Sequence, residues 1–418
     1  MVSECDSNKW GRIGMKTGTL KDYTMQIVSM CGLISCSLGI CSNVQGVFFT
    51  EAAKDLHVMV GTFSMQNTVA CIITYILAIY FAEIAEKVNY QKMLLTGAVM
   101  TGISFVAMGA IRNLIVFYIL GIVRGIGASV FAVAIVTIGI QNWFKEKTGF
   151  VTSLVFCTSG ITGMVLSPLF AWIMEHSSWR VAYVIMGSIS FLLILPAICS
   201  GFTLKPQQKG MQPYGKEQAE KREQAGASVE KSARGVFGAL AGIAVLYNLI
   251  LGFSQHLPGY GESIGMSATQ GAFLLSLCMF GNVVFKLFSG IISDRCGAVK
   301  TTNLMVGINL VSVILLFALR MLWLQETCAF LFGVMYSVIT VCLSLTTLEC
   351  CGGTEYSRVF PKISMVGGIA NPVAVSLLGY VYDLSGSYNT VFLLLFVFHA
   401  VGILLLLYLY NRSRRYAK

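Results

Sequence analysis

Twelve apolar runs of about 20 residues recur along the whole chain, and they limit the fold more than any other feature. A run of about 20 apolar residues is what an α-helix needs to cross the hydrocarbon core of a bilayer. Only 11% of the 418 residues are charged, whereas a soluble domain carries about 25%. The sequence therefore predicts an all-α polytopic membrane protein with twelve transmembrane helices. The predicted spans are 24–49, 58–82, 93–111, 114–141, 148–174, 180–202, 236–258, 269–293, 300–320, 324–348, 362–382 and 389–411.

The positive charges divide unequally between the two sides of these spans. Of the 29 lysines and arginines, 23 lie in the two chain ends and in alternate loops. Loops rich in lysine and arginine stay in the cytoplasm, so both termini are predicted to be cytoplasmic in a cell membrane, of the kind expected for a bacterial inner membrane. These cytoplasmic lysines and arginines also account for the net charge of +10. They make the lipid bilayer the expected partner rather than nucleic acid. The other faces hold Lys54, Arg112, Arg180 and Arg320, and only Arg124 and Lys286 lie inside spans.

The two halves of the chain repeat each other at an offset of 208 residues. The acid–base pair Glu86-Lys87 recurs as Asp294-Arg295, and Gly160 recurs as Gly368. Two six-helix halves in the same orientation are a parallel internal repeat. The predicted organisation is an N-terminal arm (1–23), a first half (24–203), a cytoplasmic linker (204–235), a second half (236–411) and a basic tail (412–418).

Several short motifs carry a resemblance to one family. The chain resembles the major facilitator superfamily, which implies two six-helix halves and transport by alternating access. Within it, three further stretches are similar to the monocarboxylate porter and oxalate/formate antiporter branch. The superfamily motifs are Gly290-x-x-x-Asp294-Arg295-x-Gly297, Arg124-Gly-Ile-Gly127 and Gly160-Ile-Thr-Gly163 with Pro168. The branch motifs are Asn142–Gly149, His256–Tyr260 at the end of the seventh span and Gly379–Tyr388 at the end of the eleventh.

Lys286 is the first candidate for substrate binding. It lies eight residues before Asp294, roughly 12 Å below the end of the eighth span. An ionised side chain at that depth costs about 2.5–3.5 kcal/mol unless a wet cavity or a partner relieves it. No acidic residue lies in the centre of any span, so the substrate itself, a small carboxylate, is the expected counter-ion. In the branch that the chain resembles, this position holds a cation that pairs with the anionic substrate. Snorkelling of the lysine is the structural alternative.

Seven further polar residues are candidates around this lysine. Asn282 lies one turn earlier on the same face, where some monocarboxylate porters have an aspartate. Arg124 is either a packing residue or a second cationic contact. His256 could carry a proton, since histidine titrates near neutral pH, or serve as an extracellular hydrogen-bonding group. The remaining candidates for lining the cavity are Gln255, Tyr247, Asn248 and Gln45.

A conformational latch is expected at the cytoplasmic turn after the eighth span. There the Asp294–Arg295 turn would hold the outward-facing state. The predicted latch residues are Gly290, Asp294, Arg295, Gly297 and Glu86.

The function predicted from these residues is secondary active transport of a small organic anion, most simply a monocarboxylate, by proton symport or anion exchange in a monomer. Transport of a non-anionic solute, with Lys286 structural, is the alternative, and a transporter-like sensor is a further class. No nucleophile–base arrangement or metal-ligand spacing is present, so neither an enzyme nor a cofactor is expected. Asp383 and His176 are placed alone in outer loops.

Overall fold

The computed structural model describes residues 23–85, 88–215 and 234–416. Twelve helices in these ranges are long and apolar enough to span a membrane, which confirms the predicted number of transmembrane helices. The helices are α1 Thr24–Asn43, α2 Val60–Phe81, α3 Tyr90–Ala110, α4 Leu114–Trp143, α5 Thr148–His176, α6 Trp179–Cys199, α7 Val236–Ser263, α8 Ala268–Cys296, α9 Ala298–Ala318, α10 Leu322–Cys351, α11 Val359–Ser385 and α12 Tyr388–Asn411.

Consecutive helices run in opposite directions, because most of the connections between them are only a few residues long. We call the side on which α1 begins and α12 ends the terminal face. The other side, which carries the loops 44–59, 111–113, 177–178, 264–267, 319–321 and 386–387, is the far face. Helices α1 to α6 form the first half of the molecule and α7 to α12 form the second.

The first span is not one continuous helix, so the expected span 24–49 is wrong at its end. An α-helix over Thr24–Ile34 widens into a π-helix over Ser35–Asn43, and a separate short helix follows over Gly46–Asp55. Such widening frees backbone carbonyls that other groups must satisfy. The side-chain amide of Gln45 donates to the carbonyl of Ile40 at 2.9 Å. π-Helical turns inside helices often mark functional regions.

Helix α7 is also interrupted, and it continues beyond the point where the motif His256–Tyr260 was expected to end it. A 3₁₀ turn over Gly252–His256 is followed by another α-helical turn over Leu257–Ser263. Pro258 is tolerated at the start of that turn, since a first-turn amide needs no intrahelical acceptor. In the second half, α10 contains a further π-helical stretch over Val338–Cys342.

Small residues set the spacing of helices within each half, as expected where backbones approach closely. A Cβ atom added to Gly281 in α8 would lie 2.0 Å from the carbonyl oxygen of Phe330 in α10. A Cβ atom at Gly333 in α10 would lie 2.2 Å from the carbonyl oxygen of Cys278. Larger residues at these two positions would force α8 and α10 apart, so the close packing of this pair depends on both glycines.

The chain after α6 folds back onto the terminal face of the first half. Trp143 Nε1–H donates to the carbonyl of Thr203 at 2.6 Å, and the amide of Asn142 donates to that of Leu204 at 3.1 Å. The backbone N–H of Tyr214 donates to the carbonyl of Trp143 at 2.8 Å. The motif that begins at Asn142 therefore anchors residues 203–214 to the first half.

Candidate functional site

The two halves touch along three pairs of helices: the short helix Gly46–Asp55 with α7, α2 with α11 and α5 with α8. Near the far face these pairs are joined by hydrogen bonds. The backbone N–H of Gly46 donates to Gln255 Oε1 at 2.8 Å, Thr68 Oγ1–H donates to the carbonyl of Pro372 at 2.6 Å, and Ser276 donates to the carbonyl of Met164.

Towards the terminal face the halves separate. Gly160 is the last glycine of α5 in close contact with α8, where an added Cβ atom would lie 2.7 Å from Val283. Nearer the terminal face, Gly149 in α5 and Gly290 in α8 have no atom within 4 Å of such a Cβ position. Among the described residues, the hydrogen bonds and close glycine contacts between the halves all lie at the level of Gly160 or nearer the far face, so the structure is closed at the far face and open towards the terminal face.

Lys286 lies just beyond the last close contact, on the open side. Its side chain is partly exposed, and the thiol of Cys157 in α5 is near enough for the two groups to interact electrostatically. Among the described residues, no carboxylate pairs with the Lys286 ammonium group. The lysine therefore presents an unpaired positive charge between the halves, where a diffusing anion could reach it.

Asn282 lies one turn towards the far face from Lys286 but is closed off from the opening. It is 1% exposed and sits where α8 crosses α5, because a Cβ atom on Gly160 would lie 3.2 Å from its Nδ2 atom. Its Oδ1 atom is buried without a hydrogen-bond donor. In this conformation Asn282 is a packing residue with one unused acceptor.

Arg124 is separated from the opening and held by neutral side chains. It is 1% exposed. Its Nη1 donates to Gln45 Oε1 at 3.2 Å and its Nη2 to Asn67 Oδ1 at 2.8 Å. The guanidinium carbon lies 4.9 Å from the centre of the Phe105 ring, within range for a cation–π contact. Arg124 thus joins α2, α3 and α4 to the turn after α1, and Gln45 serves as one of its hydrogen-bond acceptors.

Gln255 and His256 occupy the 3₁₀ turn of α7 and fasten it to neighbouring helices. The Gln255 amide accepts from Gly46 and donates to the carbonyl of Asn43 at 3.1 Å, so both ends of the amide contact the first half. His256 is 2% exposed, and its Nε2–H donates to the carbonyl of Val375 at 2.7 Å. The ring is buried inside the protein, and its hydrogen bond joins α7 to α11.

Tyr247 and Asn248 point to different neighbours. Tyr247 packs against α12, where a Cβ atom on Gly402 would lie 2.6 Å from its ring, and its hydroxyl is buried without a partner. Asn248 donates to the carbonyl of Ala244 at 2.8 Å and lies against Gly367 of α11. Tyr247 therefore faces away from the interface between the halves, whereas Asn248 lies at the α7–α11 contact.

The predicted latch residues lie at the terminal end of α8, where the halves are apart. Asp294 and Arg295 are exposed, and neither forms an ion pair with another residue that the structure describes. Gly297 ends the helix with a φ of +89°, a conformation that suits glycine. Glu86 lies outside the described residues. A latch that closes this face remains a prediction, since the face is open here.

Two acidic residues near the far face have partners that the sequence did not indicate. Asp383 lies within α11 rather than in a loop, and its carboxylate accepts from the backbone N–H of Gly61 at 2.8 Å. Glu175 in α5 accepts from the backbone N–H of Thr269 at 2.9 Å. His176 is likewise helical, and its ring stacks on Trp172. The expectation that Asp383 and His176 stand alone in outer loops is wrong.

Several known proteins are similar to this chain. Monocarboxylate transporter 12 of Rattus norvegicus is 22% identical over 92% of this chain and 84% of its own length. Monocarboxylate transporter 13 of Bos taurus is 22% identical over 85% of this chain and 82% of its own length. The MFS-type transporter pynF of Aspergillus niger is 23% identical over 80% of this chain and 77% of its own length.

Solved transporter structures share the fold. The crystal structure of the peptide transporter POT superposes with a TM-score of 0.71 at 11% identity, covering 94% of this chain and 95% of that one. A bacterial homologue of the human lysosomal transporter Spinster gives 0.66 at 13% identity, covering 95% and 98%. The profile of the Major Facilitator Superfamily matches residues 31–375. With twelve membrane-spanning helices in two halves, the chain belongs to the Major Facilitator Superfamily, whose members are transporters and not enzymes.

Proposed function

We propose that this transporter carries a small organic anion, in the first place a monocarboxylate, by proton symport or anion exchange. The observation that supports the proposal most directly is Lys286, a partly exposed cation between the halves with no carboxylate partner among the described residues. A charge in the membrane interior that lacks a fixed counter-ion marks a site for an ion of opposite sign. The relatives named monocarboxylate transporters favour the same substrate class.

The path of the substrate follows from the closed far face and the separated terminal face. In this proposal the terminal face lies in the cytoplasm, because it carries most of the lysines and arginines. The anion then reaches Lys286 from the cytoplasm in the state seen here, and rocking of the halves exposes the same site to the other side. The Asp294–Arg295 turn would close the cytoplasmic side in that second state.

The test is uptake of labelled formate, acetate, lactate, pyruvate and oxalate into proteoliposomes, with and without an imposed pH gradient. We expect one monocarboxylate to accumulate, driven by the gradient for symport or by internal anion for exchange. Lys286→Gln is expected to lower that uptake by at least tenfold, whereas Lys286→Arg keeps part of it because the charge remains.

Lys300→Gln is the matched control, since Lys300 is an exposed lysine at the terminal end of α9. Its uptake should equal that of the unaltered protein. Normal uptake by Lys286→Gln would contradict anion pairing and favour a non-anionic solute. A variant that fails to elute as a single species in size-exclusion chromatography would be replaced by Lys286→Met.

A further inference from the structure

Two carboxylates near the far face make the same contact across the two halves. Asp383, three residues before Gly386 ends α11, accepts from the backbone N–H of Gly61, the second residue of α2. Glu175, near the end of α5, accepts from the backbone N–H of Thr269, the second residue of α8. Each carboxylate belongs to one half and each amide to the other, so both bonds must break when the halves part at this face.

The two contacts are copies of each other under the internal repeat. Adding 208 to 61 gives 269, and adding 208 to 175 gives 383. A second pair of contacts between the halves, in which a hydroxyl donates to a carbonyl, repeats in the same way. Thr68 donates to the carbonyl of Pro372, and Ser276, 208 residues after Thr68, donates to that of Met164, 208 residues before Pro372.

One ion pair lies on the axis that relates the halves. Lys54 Nζ contacts Glu262 Oε2 at 3.1 Å, and these two residues are themselves 208 positions apart. A residue that contacts its own repeat equivalent must lie close to the two-fold axis. The far face is thus closed by a central ion pair with one carboxylate contact on each side.

We propose that Asp383 and Glu175 are paired latches that hold the far face closed while the site is open to the terminal face. The first amides of a helix have no intrahelical acceptor, and the helix N-terminus carries a partial positive charge. A carboxylate accepts a hydrogen bond from such an amide and also places a negative charge against the partial positive charge of the helix N-terminus. When the halves separate at the far face, water replaces each carboxylate, so the latches favour the closed arrangement without preventing its opening.

The two latches are unequal in strength. The N-cap residue of α2, Met59, has no side chain that can accept a hydrogen bond, so Asp383 supplies the only side-chain cap described for this helix. The N-cap of α8, Ser267, forms a capping box with Gln270 and needs Glu175 less. Asp383 is also partly buried, whereas Glu175 is exposed. Asp383 is therefore the stronger latch.

The experiment measures how often the far face opens. A membrane-impermeant maleimide is added from the far side of oriented proteoliposomes, and peptide mass spectrometry follows the alkylation of Cys157, which lies beside Lys286. We expect Asp383→Asn to speed this labelling about tenfold and Glu175→Gln about threefold, the range expected for a charge-assisted contact at a helix N-terminus. The double variant should approach the product of the two.

Two variants serve as controls. Asp383→Glu keeps a carboxylate and should label more slowly than Asp383→Asn. Asp55→Asn removes a far-face carboxylate whose partner, Arg180, lies in the same half, so its labelling should match that of the unaltered protein. Unchanged labelling in both latch variants would overturn the proposal, and so would an equal rise in Asp55→Asn. Since no substrate is needed, the result stands apart from the outcome of the uptake assays.

Discussion

The closed far face of this transporter and its central layer, which contains Arg124 and Lys286, differ in how far the two halves match each other. At the far face the halves contribute matching contacts, since the carboxylate contacts of Asp383 and Glu175, and the hydroxyl contacts of Thr68 and Ser276, are each related by an offset of 208 residues. In the central layer they do not. The repeat equivalent of Lys286 is Ala78, and that of Arg124 is Phe332. Under the proposed mechanism, the matching contacts suit a rocking motion of the two halves, and a lysine that only one half carries gives the site its charge.

The central layer itself contains two cations in contrasting settings. Arg124 is buried and held by two amide oxygens and an aromatic ring. Lys286 is partly exposed and has no fixed carboxylate among the described residues. A buried charge with hydrogen-bond partners is part of the architecture, and a reachable charge without them is available to a ligand. Under the proposed function, Arg124 is therefore a structural residue and Lys286 is the residue that meets the anion.

The largest effect is expected when the symmetric interface cannot close. A Cβ atom on Gly46 would lie 2.2 Å from the carbonyl oxygen of Gln255 in the other half. Gly46→Val should therefore destabilise the closed far face by about 3 kcal/mol, at the upper end for an overpacked contact. That corresponds to about a hundredfold loss of the closed state, and uptake should fall in proportion. Gly238→Val, where a Cβ atom meets nothing within 4 Å, is the control. Normal uptake by Gly46→Val would mean that closure does not need this contact.

The next effect distinguishes Arg124 from Lys286 by how much the replacement of each residue destabilises the protein. Arg124→Met would leave Gln45 Oε1 and Asn67 Oδ1 without their donor, at a cost of about 2–4 kcal/mol for two buried acceptors. Its apparent melting temperature in detergent should fall by several degrees. Lys286→Met removes no hydrogen bond that the structure describes for the ammonium group, and its melting temperature should stay the same or rise. Equal losses in the two variants would contradict the division of roles.

The sequence could predict the scaffold because the signals for it are carried by the residues themselves. Apolar runs give the spans, and the pair Glu86-Lys87 with Asp294-Arg295 gives the repeat offset. The partners of Arg124 could not be predicted from the sequence, since Gln45 comes from the turn after α1 and Asn67 from α2, and no local pattern pairs either residue with Arg124. The π-helix over Ser35–Asn43 was missed because its residues, rich in serine, glycine and cysteine, also suit ordinary helix packing.

The latches were missed for a different reason. The partners of Asp383 and Glu175 are backbone amides, which leave no trace in the choice of side chain. A signal was nevertheless present. Applying the offset of 208 to every acidic residue near the far face would have paired Glu175 with Asp383 and matched Glu262 to Lys54. A repeat found for one motif can thus be used to search for contacts that the motif does not contain.

A smaller effect tests whether the transported anion binds at Lys286. Cys157 lies beside the lysine on the other half and is partly exposed. A transported anion should slow its alkylation from the terminal face, by about tenfold at ten times the Kd. Lys286→Gln should abolish this protection. The exposed Cys199 and Cys296 provide internal references in the same digest. Protection that persists in Lys286→Gln would place the anion elsewhere.

The smallest effect concerns an ion pair that the repeat does not copy. Arg180 contacts Asp55 Oδ2 at 2.8 Å within the first half, whereas the equivalent positions hold Tyr388 and Ser263. The hydrogen bond from Arg180, with a further one from Trp179, lowers the pKa of the Asp55 carboxyl. A lowered carboxyl pKa contributes stability above the ordinary value of about 3.9, and that contribution is lost as the pH falls through the folded-state pKa. Because the Asp55 side chain is about half exposed and water screens the pair, Asp55→Asn should cost less than about 1 kcal/mol at pH 7. Melting curves of the two proteins should converge as the pH falls below the folded-state pKa of Asp55, and a gap that persists in that acid range would mean that Asp55 acts through packing rather than charge.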